Sequence, residues 1–458
     1  MRHHPFLLLF AGLSLFVTPC LPAQYLHDQQ ARETPDWFKK GVTYQIAPRA
    51  MSEEGTLKGA EAHLERLKDL GVTTAYLLPV NGADTDMDRK FWSPRQIKSG
   101  FEDPRNPYRA ADYFHVDPEY GTDQDLKDFV DHAHALGMKV MLDLVLFHCG
   151  PGAQVMKQHP EYFQREANGE LVLGNWRFPV FDYKRRDVRE YIKTVMRYYI
   201  ADFNVDGFRL DVADRVELNF WEEAREELDE FRPGFVMVAE GQKPANTRYA
   251  FDANYGWPVC SSVVNPLLRK SVTDMSECDA STIRKAHEEY FAKCPKGTLL
   301  WYFSDNHDQS NECYDNRFES FLGYERCTLA IAFDFAMDGV PFLFNGEEVC
   351  HDKRVSIFGH KDCWINWKEY LGTPHAIERA ANIKAWAAMR QQYSSLTEGE
   401  TVWIDNDQPK AVCSFLRRDG VSEDVLFVGN FSDKKVKVKL ADGSKYTLAP
   451  WGFVFGPR

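Results

Sequence analysis

The sequence predicts a (β/α)8 barrel followed by a small antiparallel β-domain. Apolar runs of strand length alternate with amphipathic helical patterns through about residue 394. Those runs are apolar on both faces, as expected of parallel strands covered by helices on either side. Beyond about residue 395 the helical patterns stop, and short strands separated by turn residues take over. The strand count before that point is near eight, which fits a barrel, although pattern alone leaves a doubly wound open sheet as the alternative.

The chain opens with MRHHPFLLLFAGLSLFVTPCLPAQ: a basic start, an apolar run over 6–17, then small and turn-forming residues. That is the pattern of a secretory signal peptide, residues 1–23 with cleavage near Ala23, and its apolar run is too short to span a bilayer comfortably. Cys20 as a lipid-attachment site is a weaker alternative, because Pro19 precedes it. Residues 24–36 read as a mobile lead-in. GVTYQIAPR (41–49) reads as the first strand, LKGAEAHLERLKDLG (57–71) as a helix ended by glycine, and VTTAYLLPV (72–80) as the second strand. A helix over 121–137 has Thr122 as N-cap, with Asp125 near its first turn. MKVMLDLVLFH (138–148) is a third strand. Residues 149–186 are rich in Gly, Pro and aromatics, hold no clear helix, and read as an excursion from the barrel. Helix 187–203, strand 205–213, helix 219–231 and strand 235–240 follow. Further strands are LLWYFSD (299–305) and GVPFLFNG (339–346), with an apolar stretch over 321–337 between them. The barrel domain is thus 24–394. The terminal domain, 395–458, contains TVWI, AVCSFLRR, DVLFVGNF, KVKVKL and WGFVFG as its strands.

The 458 residues carry a formal net charge of −13, which argues against a nucleic-acid or anionic-membrane partner. No later segment reaches transmembrane length. Ten cysteines become nine without Cys20, none in a C-x-x-C zinc pattern, and no bridge is assigned. DTDMD (84–88) spaces Asp84, Asp86 and Asp88 like the start of a calcium loop, but it lacks the turning glycine and Arg89 opposes the charge. A solvated acidic loop is the expectation there.

Chemistry-bearing residues gather where the strands end. In DGFRLDVADRV (206–216), Arg209 and Asp211 are two apart and so share a strand face. Both a structural ion pair and a carboxylate held ionised as a nucleophile fit that stretch. His148 follows LDLVLF, Glu240 ends FVMVA, and His307 and Asp308 follow WYFSDN. One such residue is ordinarily a turn or cap residue. On four separate strands of one barrel they converge on a single rim, where such folds carry their chemistry.

These stretches also carry a resemblance. NPYRAADYFHVDPEYGTDQDLKDFVDHAHALGMKVMLDLVLFH, DGFRLDVA, FVMVAE, FSDNHD and GVPFLFNGEE occur in the order and at the barrel spacing of the α-amylase family of retaining glycoside hydrolases, which the chain resembles from about residue 40 to its end. The resemblance implies Asp211 as nucleophile, Glu240 as acid/base and Asp308 as the third carboxylate that helps bind and distort the sugar. It implies Arg209, His148 and His307 as residues that orient the nucleophile or bind sugar hydroxyls, Tyr108 as the aromatic platform, and Asp143 as a structural support. The residue types suit the chemistry, which needs one ionised and one protonated carboxyl. A cation beside Asp211 favours its charged form, and the apolar residues before Glu240 favour a retained proton.

The expected function is therefore an exported, secreted or periplasmic glycosidase acting on α-linked oligo- or polysaccharides of short to moderate length. It would have no nucleic-acid partner and no stable membrane insertion after signal cleavage. A transglycosylase or isomerase on the same scaffold would share the catalytic trio, and a non-catalytic carbohydrate-binding relative would usually have lost it. The chain departs from the family at Phe147, where Asn often precedes the motif histidine, at Asn106, where His often stands, and at Asp214, where many starch enzymes carry Lys or Asn. No cofactor and no metal ligands are assigned. Many relatives hold calcium between barrel and excursion through that Asn, and Phe147 offers no oxygen, whereas calcium takes about six to eight.

Overall fold

The computed structural model describes residues 25–260, 279–312, 317–359 and 363–458. Among the described residues, ten strands lie in the first three-quarters of the chain: β1 (Thr43–Ile46), β2 (Thr74–Leu77), β3 (Asn81–Ala83), β4 (Ala110–Val116), β5 (Lys139–Leu144), β6 (Gly207–Leu210), β7 (Val236–Ala239), β8 (Ala253–Tyr255), β9 (Leu300–Tyr302) and β10 (Gly339–Phe344). Eight of them close into a parallel barrel in the order β1-β2-β5-β6-β7-β8-β9-β10, and β10 pairs back onto β1. Strands β3 and β4 form an antiparallel ribbon outside it.

The barrel interior is filled with aromatic side chains. Tyr76, Tyr255, Trp301 and Phe342 contact one another with ring centroids 4.8–6.5 Å apart, from tilted to edge-on. This aromatic plug is the floor on which the polar rim stands. Outside, helix α1 (Asp123–Ala135) begins with a full capping box: Thr122 accepts from the Asp125 N–H, and the Asp125 carboxylate accepts from the Thr122 N–H. Helix α2 (Arg186–Phe203) buries Val188, Ile192, Val195, Met196, Tyr199, Ile200 and Phe203, the stripe that a 3.6-residue period places on one face.

The structure departs from the sequence reading at several places. Residues 57–71 form two short helices, Leu57–Glu61 and Leu64–Asp69, with His63 between them packed on the Trp367 ring. Strand β8 was not foreseen, because its three residues, Ala-Asn-Tyr, carry no apolar run and are defined only by their neighbours β7 and β9. The apolar stretch 321–337 ends in helix α3 (Tyr324–Ala336). The excursion does contain a helical turn, Gln154–Gln158. The lead-in, expected to be mobile, is tied down: Arg32 pairs with Asp229 and Asp252 at 3.2 Å, and its N–H donates to the Thr247 carbonyl.

Six more strands follow: β11 (Glu400–Trp403), β12 (Val412–Arg418), β13 (Val425–Asn430), β14 (Val436–Lys439), β15 (Lys445–Leu448) and β16 (Phe453–Pro457). They form an antiparallel sheet β11-β12-β13-β16 and a β14-β15 hairpin. Phe415, Phe427 and Phe431 pack edge-on against Phe333 of α3, so this sheet shares the barrel's core. Among the described residues no helix is long and apolar enough to cross a membrane, and the seven described cysteines are free thiols.

Candidate active site

Strand β6 carries Arg209 inward, and the two-residue periodicity brings Asp211 to the same face just beyond the strand end. The guanidinium is completely buried above the Tyr255 ring, 5.2 Å from its centroid. Its Nη1 donates to Asp143 and to Asp211, both at 2.8 Å, and its Nη2 lies 3.0 Å from the Glu240 carboxylate. The sequence suggested a cation serving Asp211 alone. The barrel instead places β5, β6 and β7 side by side, so one cation serves a carboxylate from each.

The backbone turns sharply after Asp211. Val212 sits at φ 41°, ψ 43°, a left-handed conformation that costs a β-branched residue about 1–3 kcal/mol. The strained turn aims the Val212 N–H at Glu240 Oε2, 2.7 Å away. Burial pushes Glu240 up to about 7, against the pull of Arg209 and with help from the charge of Asp308. Burial also raises Asp211, and Arg209 opposes that rise by Coulomb attraction and a direct hydrogen bond. The two carboxyls therefore titrate as a pair around one guanidinium. Burial pulls on Asp308 in the same sense, but His307, Arg95 and Arg209 more than offset it, and its carboxyl lies below the usual range.

A second network fixes the aromatic floor of the cleft. The His307 backbone N–H donates to Gln45 Oε1 (3.1 Å), which turns the Gln45 amide nitrogen toward the ring Nδ1 of His307 (3.0 Å). Nδ1 therefore accepts, and the proton sits on Nε2, which donates to the Tyr108 hydroxyl (2.8 Å). Tyr108 donates in turn to Asp143 Oδ2 at 2.7 Å, as does Tyr76. Burial lowers His307, consistent with a neutral ring, and Tyr108 stacks on it with planes 6° apart. His148 is held neutral by burial, which takes it down to about 4. Its Nε2 donates to the Tyr108 carbonyl at 3.0 Å, and its Nδ1 has no protein partner.

These side chains line one open cleft whose empty space, solvent at its mouth included, is about 690 Å³. Tyr108, His148, Asp211, Glu240, His307 and Asp308 all face it, while Arg209 and Asp143 lie beneath. Sequence reasoning missed Arg95, Trp176, Phe178 and Trp257, which also line it. The aromatics of the Gly-rich GNWRFP stretch were a usable signal for Trp176 and Phe178, whereas nothing local marked Arg95, which forms a close ion pair with Asp308.

The expected solvated loop at 84–88 is corrected at Asp84, which is 2% exposed and accepts hydrogen bonds from the Asp86 and Gly152 N–H groups. Arg109, fully buried, gathers the carbonyls of Asp84, Asp86, Phe91 and Pro104 at 2.8–2.9 Å. The calcium suggested by the resemblance does not fit this junction. Phe147 packs on the core without offering oxygen, and among the described residues no three His, Cys, Asp or Glu side chains are grouped to hold a metal. Asp214 acts structurally, since its carboxylate accepts from the Gln242 N–H and the Asn246 amide and so tethers the loop after Glu240.

Comparison with known proteins identifies the family of the chain. The family model described as "Alpha amylase, catalytic domain" matches residues 34–169 and 163–409. A cyclomaltodextrinase from Geobacillus thermopakistaniensis is 24% identical over 92% of the chain and 73% of its own length. Neopullulanase 2 from Thermoactinomyces vulgaris is 26% identical over 80% of the chain and 68% of its own length. Among solved structures, a noncanonic maltogenic α-amylase from Thermotoga neapolitana superposes with a TM-score of 0.75 at 27% identity, covering 92% of this chain and 97% of its own.

Proposed function

This chain belongs to the α-amylase family of glycoside hydrolases, and from that premise we propose that it cleaves α-glucosidic bonds of maltooligosaccharides and related α-glucans by a retaining double displacement. The observation that carries the reading is the single Arg209 guanidinium spanning Asp143, Asp211 and Glu240. In the first step Asp211 attacks the anomeric carbon while Glu240 gives its proton to the leaving oxygen, leaving a glycosyl ester on Asp211. In the second, the Glu240 carboxylate takes a proton from water, the resulting hydroxide attacks the same carbon, and Asp211 is released. Glu240 near 7 suits both roles at neutral pH. Asp308, held ionised, and His148, with a free acceptor at Nδ1, suit the binding of sugar hydroxyls. Relatives named for cyclomaltodextrin, maltogenic and pullulan activities support an α-glucan substrate.

The test is early-time product analysis on maltooligosaccharides. An α-anomeric product and a loss of at least ~1,000-fold in kcat for a folded Asp211→Asn protein are expected. A β-anomer, or near-normal turnover of the variant, refutes the mechanism. Products longer than the substrate would assign the intermediate to sugar acceptors rather than water. Export is proposed from residues 1–23 alone, and relatives include enzymes named intracellular maltogenic amylase. Recovery outside the cytoplasm of a chain beginning just after Ala23 supports export, and an uncut cytoplasmic chain refutes it.

A further inference from the structure

Around the barrel rim, Glu240 follows β7, and the strand diametrically opposite β7 is β1. In the mechanism proposed above the leaving group takes its proton from Glu240, which would seat the aglycone on that side of the cleft, where Val212 and Trp257 line it. Any further glycone unit would have to leave over the opposite arc, above β10, β1 and β2. That arc is walled. Arg95, in the short helix Pro94–Ser99 of the β3–β4 connection that follows barrel strand β2, reaches across the mouth and pairs with Oδ1 of Asp308. The other Asp308 oxygen, Oδ2, lies toward the His307 Nε2 at 3.6 Å.

The Arg95 loop is itself docked onto the loop after β10. Arg354 donates to the Ser99 carbonyl (2.8 Å) and lies over the Phe101 ring, 4.5 Å from its centroid. The Phe101 ring sits so close to Gly359 that a Cβ there would come within 2.4 Å of it. Beneath them Arg49, 2% exposed, donates to the carbonyls of Ile357 (2.5 Å) and Arg105 (3.2 Å) and is anchored by Glu119. Ile357 and Phe358, both buried, complete the wall facing the cleft.

We propose that Arg95 is a specificity-determining residue: paired with Asp308 and backed by this wall, it closes the glycone end of the cleft, so that the enzyme removes single glucosyl units from non-reducing chain ends. The inference rests on the glycosidase reading above and narrows its substrate. Asp308 divides its two oxygens, one for Arg95 and one for the bound sugar. A chain whose terminal unit is extended, blocked or closed into a ring would have to displace Arg95 from a carboxylate.

The test compares maltoheptaose, the same chain blocked at its non-reducing end, and cyclomaltoheptaose, for the wild type and for Arg95→Ala. The wild type is expected to release glucose first from the open chain and to turn over the blocked and cyclic substrates at least ~100-fold more slowly in kcat/KM. Arg95→Ala is expected to shrink that ratio at least ~tenfold and to release maltose or longer products, and because the ratio is internal to each protein, a general loss of activity does not obscure it. Wild-type cleavage of the blocked or cyclic substrate as fast as the open chain overturns the proposal, as does an unchanged ratio in Arg95→Ala. No turnover of the open chain overturns the glucan reading itself, and this inference with it.

Discussion

Glu240 owes the proton it retains near neutrality to its surroundings. Its carboxyl is pushed up to about 7 by burial, while Arg209 pulls the other way and Asp308 adds to the rise. The acid form is thus present below neutrality and lost above it. With an activated substrate whose leaving group needs no proton, Glu240→Gln should abolish the alkaline limb of the pH–rate profile near 7, and a mutant that keeps that limb has another acid. Stability carries a matching signature. A folded value above the unfolded one means that the native state binds the proton more tightly, so the contribution is present below about 4.5 and lost as pH rises through about 7. Gln does not titrate, so the stability of Glu240→Gln relative to wild type should rise between pH 5 and 8 by ~1–3 kcal/mol, read from denaturant midpoints. The proximity of Arg209 and Asp211 was legible from their i, i+2 spacing. That Arg209 also holds Asp143 and Glu240 was not, because those contacts join strands separated by dozens of residues.

At the scale of elements, the loop between β3 and β4 is organised by an internal cation. Arg109 holds four backbone carbonyls in a fully buried setting, and Asp84 links this loop to Gly152 in the excursion. Arg109→Met would leave those carbonyls buried without a donor, at a cost of roughly 3–5 kcal/mol in unfolding free energy, and should lower activity through the attached Arg95 and Tyr108 segments. Because a fixed guanidinium organises the loop, chelator should leave the wild-type melting temperature unchanged within about a degree. A drop of several degrees, restored by added calcium, would contradict it. Sequence spacing identified Asp84, Asp86 and Asp88 as a group, but burial separates Asp84 from half-buried Asp86 and exposed Asp88, and the residues that hold Asp84, Arg109 on its carbonyl and Gly152 on its carboxylate, lie outside the DTDMD stretch.

For the whole molecule, the terminal sheet and the barrel are one packing unit. Phe333 of α3 is enclosed by Phe415, Phe427 and Phe431. Phe333→Ala should cost ~3–5 kcal/mol in unfolding free energy, measured by chemical denaturation. None of these residues lines the cleft, so kcat/KM well below the melting temperature should stay within about twofold of wild type. A stability loss under about 1 kcal/mol would mean that the sheet adds little to the barrel.

The sequence by itself determined the alternation of strands and helices, the change to antiparallel strands near residue 395, and the carboxylates at the strand ends. These are local periodicities and short motifs, and burial on both faces of a strand or one face of a helix imposes them residue by residue. Only the tertiary structure decided what those residues meet. Strand β8 exists because β7 and β9 flank it, His307 carries its proton on Nε2 because Gln45 of β1 faces it, and Arg95 reaches Asp308 because ring closure brings the connections after barrel strands β2 and β9 over one mouth. Closure of the barrel sets these distances, and no periodicity within about a dozen residues encodes a contact between strands hundreds of residues apart.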